Sequence, residues 1–128
     1  MELLVPLGRL LFSAMFIQSG IGHFQHRASM TAYARSMGAP APELMVPLTG
    51  LMILLGGISV LLGAYARVGA WLLILFLVPT ALIMHRFRGL PDPQLAQNQR
   101  IHFQKNLSLA GGALLIAYFG SGPYSLIP

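Results

Sequence analysis

Arg100, His102, Lys105 and Asn106 stand where a polar stretch runs into the last apolar one, in Arg100-Ile101-His102-Phe103-Gln104-Lys105-Asn106. On a helix, His102 shares a face with Lys105 and Asn106, three and four residues on. An imidazole, an ammonium and an amide on one face can pass a proton or hydrogen-bond a carbonyl. Such groups are costly against lipid, so the face is expected to point into protein or lie at the membrane interface. Candidate partners end other apolar runs: His23 with His26, and His85 with Arg86. The expected polar cluster is therefore His23, His85, His102, Lys105 and Asn106, with Phe103 beside it and Arg9 as an outlier.

Two chemistries suit these groups. Neutral imidazoles can ligate haem iron, zinc or copper. No His-x-x-Glu-His or similar motif supports that, so haem or a metal is not expected. A quinone site needs an apolar slot with one or two donors for its carbonyl oxygens. His85, His102 or Asn106 with Phe87, Phe103 and Trp71 can supply one. The bland alternative is a polar cap of histidines bonded to headgroups, backbone carbonyls or water. Nucleophilic catalysis lacks support, because Ser13, Ser19, Ser59 and Ser108 sit in apolar runs without a nucleophile elbow or phosphate loop. No self-contained catalytic motif is present. Asn106 lies a turn deeper than His102, where an unpaired amide is costly, so it reads as structural. His102 reads as the residue free to bind or exchange a proton.

Composition says what positions these groups. Of 128 residues, 55% are hydrophobic and 9% charged. A soluble domain carries about 25% charged residues. Too few charges remain to cover a water-facing surface, and a mean hydropathy of +0.70 agrees. The net charge of +5 does not indicate nucleic acid, because six of the eight basic residues gather in loops between apolar runs. The absence of cysteine removes disulfides and thiol relays from this chain.

Four spans are expected, at roughly 3–21, 44–62, 68–84 and 106–119, in a single domain over 1–128. They form an all-α, up-and-down four-helix bundle in the membrane. A short interfacial amphipathic helix is expected over Ala28 to Met37, ended by Gly38-Ala39-Pro40-Ala41-Pro42. Residues 85–104 read as the second long loop, broken at Leu90-Pro91-Asp92-Pro93-Gln94. Pro79 should kink or loosen the end of the third span. The second and fourth runs carry small-xxx-small pairs, Ser59 with Gly63 and Ser108 with Gly112, which let helices approach and also permit homo-oligomerisation. Arg9 falls roughly 10 Å into the first run. Its expected course is to snorkel back to the terminal side, with the alternative of turning inward onto carbonyls.

The loops carry Arg27, Arg35, Arg86, Arg88, Arg100 and Lys105, and the opposite side only Arg9 and Arg67. The positive-inside rule puts the loops in the cytoplasm and both termini outside. A bacterial plasma (inner) membrane is the expected location. All four histidines lie on the loop side, so chemistry or binding is expected there.

Several stretches taken in order resemble the DoxX family: Gly8-Arg9-Leu10-Leu11-Phe12, Ser19-Gly20-Ile21-Gly22-His23-Phe24, Gly50-Leu51 through Gly56-Gly57, and Ile101 through Gly112. The resemblance implies a four-helix integral membrane protein with a link to redox physiology, through a thiosulfate:quinone oxidoreductase subunit and through thiol and oxidant defence. One departure is Met52-Ile53-Leu54-Leu55, where relatives often have a glutamate. No acid lies inside a span, which argues against proton-coupled quinone chemistry in this chain alone. The expected function is a membrane subunit or anchor of a quinone- or thiol-linked oxidoreductase system. Quinone is the cofactor the pattern allows, and a membrane or soluble oxidoreductase the partner, besides the lipid bilayer. A non-enzymatic scaffold or assembly factor is the alternative, and a small-molecule or lipid transporter ranks third.

Overall fold

The computed structural model describes residues 2–127. Among these, the chain forms α1 (Leu4–Gln25), α2 (Arg27–Ser36), α3 (Pro42–Leu62), α4 (Ala66–Met84) and α5 (Pro93–Phe119). The four long helices run up and down: α3 packs between α1 and α4, α5 packs against α4, and Gly112 of α5 also faces Phe12 of α1. The all-α bundle with a short helix after the first long one matches the sequence reading. α1, α3 and α4 are each long and apolar enough to cross a membrane.

Burial explains why the bundle needs lipid. The inward face of α1 is Arg9, Ser13, Phe16, Gly20 and His23, a helical stripe that is mostly small or polar. Large apolar side chains point outward instead, among them Leu11, Val68, Leu75, Leu82 and Leu115. Water would not tolerate that surface, whereas lipid does. The core is Phe16, Ile53, Val60, Leu73 and Leu77, with Ala70, Ala110 and Ala113 letting α4 and α5 close in.

Glycines set the helix spacing. A Cβ on Gly20 would lie 2.9 Å from the Cβ of Leu54, and one on Gly56 would lie 2.9 Å from the carbonyl oxygen of Gly69. α1 against α3, and α3 against α4, therefore meet backbone to backbone.

Residues 93–104 differ from expectation, being helix rather than loop. Asp92 caps the start, its carboxylate accepting from the backbone N–H of Gln94 at 3.0 Å. Pro93 takes the first helical position, where its missing donor is harmless. Thus α5 runs past the end of α4, and its first turns join α2 in a layer on the loop side. Pro79 does not break α4, which continues to Met84 and leaves the Leu75 carbonyl without its helical donor.

Arg9 also departs from expectation. It does not snorkel: it is only 5% exposed and turns inward. Its guanidinium donates to the carbonyls of Ser121 at 2.7 Å and Tyr124 at 2.9 Å, and to Ser125 Oγ at 3.3 Å. The tail supplies those acceptors because it folds back beside the α3–α4 turn. Leu126 N–H donates to Leu62 O and Ile127 N–H to Gly63 O, both at 3.0 Å. Three fixed acceptors hold the guanidinium inward, while its buried Nε has no partner among the described residues.

Candidate functional site

The loop-side end holds a cavity of about 610 Å³. It lies between α1, α3 and α4, with α2 and the Ala39–Pro40 linker against it. Met30, Met45, Val46, Phe76, Pro79 and Ile83 make it largely apolar. Its polar groups are His23, Thr49, Ser19, Ser29, Thr80, Tyr33 and His85. The volume falls within the range of about 300–1,000 Å³ usual for small-molecule sites, and the mix of walls is also usual.

His23 is the fixed polar group. The ring is buried, and its Nδ1 lies 3.0 Å from the Val46 carbonyl and 3.3 Å from Thr49 Oγ1. Phe76 meets the ring edge-on at 5.9 Å between centroids. Gly50 makes this approach possible, since a Cβ there would stand 2.6 Å from the Cβ of His23.

His85 marks the other end. Phe76, beside His23, precedes it by nine residues on α4, which separates the two by roughly 13 Å along the axis. His85 Nδ1 lies 3.0 Å from Gln99 Oε1, and Gln99 Nε2 donates to the Tyr33 hydroxyl at 2.8 Å. Gln99 is buried, so α5 and α2 are joined through an amide that reaches the cavity wall at Tyr33. His102 stacks on His85 at 5.1 Å.

Burial holds the His85 pKa below its ordinary 6.5, and the charges of His102 and Lys105 push the same way against the Gln99 bond. The unfolded chain therefore takes up this proton more readily than the folded one. The corresponding stability is present above about pH 6.5 and is lost as pH falls from there towards the lower folded pKa. Thermal unfolding between pH 8 and 5 should show the wild type losing more stability than His85→Gln. Equal losses in both would remove His85 from the account.

Of the residues expected to cluster, His85 and His102 touch, and His85 and His23 share a cavity. His102, Phe103, Lys105 and Asn106 do not line it. α5 meets the segment after α4, and there Phe103 packs on Phe87 at 5.5 Å while Arg100 covers the Phe87 ring at 5.0 Å. Asn106 is buried in α5, and His102 and Lys105 are exposed. Trp71 is exposed on α4, towards the terminal side, and takes no part. Arg9 sits at the far end of the bundle, on the tail. Thr49, Gln99 and the lid residues Met30 and Tyr33 were missed as site residues. The helical spacing of Met30, Tyr33 and Met37 was the available signal for the lid.

Among the described residues, no group of three or more His, Asp or Glu side chains is placed to hold a metal ion.

Long apolar helices, small-residue seams and an apolar cavity with a buried imidazole define an integral membrane helical bundle with a small-molecule-sized site. The DoxX family model matches residues 4–86, well over half of the chain. The chain belongs to the DoxX family. The match covers α1 to α4 and therefore every helix lining the cavity, while the Ile101 to Gly112 stretch lies beyond it. Neither a curated protein nor a solved structure matches the chain.

Proposed function

We propose that this chain is the membrane subunit of a redox system, and that its loop-side cavity takes the head group of a quinone. The observation that carries the reading is the buried His23 ring, fixed by Val46 and Thr49 in an otherwise apolar cavity of about 610 Å³. An apolar ring fits against Phe76, Pro79 and Met30, with its oxygens towards His23 and the hydroxyls of Ser19, Thr80 and Tyr33. An isoprenoid tail continues into lipid. The quinone supplies two-electron chemistry, and the chain's own residues bind and orient it. Electrons come from, or go to, a thiol- or sulfur-linked oxidoreductase. This partner docks on the loop side, in the cytoplasm of a bacterium, where the first turns of α5 stand proud of α4.

The test is binding. The protein in lipid nanodiscs is titrated with a short-chain quinone, and its unfolding temperature is followed. Saturable stabilisation is expected, about 2.7 kcal/mol at a ligand concentration of 100 Kd. Thr80→Trp, which fills the cavity, should weaken it. A wild-type protein whose unfolding ignores quinone contradicts the reading and favours a scaffold.

A further inference from the structure

Resting on the quinone reading, we infer that the cavity discriminates between redox states, preferring a head group that donates a hydrogen bond, a quinol or other phenol, over one that only accepts. The discrimination resides in the tautomer of His23. Its Nδ1 faces the Val46 carbonyl at 3.0 Å, and a carbonyl can only accept. The second neighbour, Thr49 Oγ1, lies at 3.3 Å. Thr49 donates its own hydrogen to the Met45 carbonyl at 2.7 Å, which leaves a lone pair towards the ring. Both neighbours require the proton on Nδ1. In a neutral imidazole the other nitrogen, Nε2, is then an acceptor.

No described side chain or carbonyl hydrogen-bonds to Nε2, and the ring lines the cavity. A hydroxyl there donates to Nε2. A quinone carbonyl sets lone pair against lone pair and leaves the nitrogen unpaired in an apolar wall, which is unfavourable. The hydroxyls of Ser19, Thr80 and Tyr33 can each donate or accept, so they serve the second oxygen in either state and do not discriminate. No acid lines the cavity to reverse the preference by holding a charged ring.

The experiment uses a redox-inert pair, 4-hexylphenol and its methyl ether, beside a short-chain quinone. Binding to the nanodisc protein is measured by calorimetry at pH 8, where free imidazole is neutral. The phenol should bind about tenfold more tightly than the ether. In His23→Phe the phenol and the ether should bind within about threefold of each other. Nitrogen NMR of histidine-labelled protein provides a measurement on the unaltered fold: the His23 resonance should report a protonated Nδ1 and a bare Nε2. Equal binding of phenol and ether, or a proton on Nε2, overturns this inference while a bound quinone keeps the site. If none of the three ligands binds, the quinone reading falls and this inference with it.

Discussion

Gly50→Ala is expected to destabilise the bundle by about 3 kcal/mol and to abolish ligand binding in the loop-side cavity. The added methyl would stand 2.6 Å from the Cβ of His23 and 3.2 Å from Phe24 Cε2. The first contact is with a carbon anchored to backbone, so no rotamer change relieves it. α1 and α3 must separate, which pulls His23 from the Val46 carbonyl and opens the seam that Gly20 also closes. Gly22→Ala, on α1 beside His23, is the control. Nothing lies within 4 Å of the added carbon there, so unfolding should shift by no more than about 1 kcal/mol, in the stabilising direction. Both variants are measured by thermal unfolding in nanodiscs with a quinone titration. A Gly50→Ala protein that melts and binds like the wild type would show that the seam is not tight.

Arg9→Met should release the C-terminal tail at a cost of about 3 kcal/mol, most of it local. Removing a buried charge is sometimes neutral when apolar groups fill its place. Here the acceptors left behind are backbone carbonyls of Ser121 and Tyr124, which methionine cannot satisfy. They regain partners only by leaving the α3–α4 turn for water. Hydrogen exchange over residues 120–127 should rise by tenfold or more, while exchange in α3 and α4 stays slow. Arg9→Lys should not restore protection, because one ammonium lacks the fork that spans two carbonyls. An unchanged tail in Arg9→Met would mean that the pairing to Leu62 and Gly63 holds it alone.

The bundle was legible because its cause is local: apolar runs of spanning length, small residues at helical spacing, and six of the eight basic residues in alternate loops. The polar half of α5 escaped the same reading. Its helix comes from the Asp92 cap, Pro93 and good helix formers, and hydropathy does not register those. Arg9 was legible as an anomaly but not in its outcome, because Ser121, Tyr124 and Ser125 lie more than a hundred residues away in the chain. The site was half legible. Histidines at the ends of apolar runs do meet, as His85 and His102 show. The partners that make His23 distinctive are a backbone carbonyl and a missing Cβ, Val46 O and Gly50, which no pattern of side chains announces. The aromatic residues weighed for a quinone slot do not line the cavity: Phe87 and Phe103 pack on each other where α5 meets the segment after α4, and Trp71 is exposed on α4.

The central claim, that the loop-side cavity takes a quinone head group, is tested most directly by photoaffinity labelling in nanodiscs. An azido-quinone is photolysed on the wild-type protein, with and without excess unlabelled quinone, and the adducts are mapped by mass spectrometry. Adducts are expected on Met30, Tyr33, Met45 or Phe76, suppressed by competitor and reduced in Thr80→Trp, which fills the cavity. Adducts spread over the lipid-facing residues, or confined to Phe87 and Phe103 beside His102, and indifferent to competitor, would contradict it.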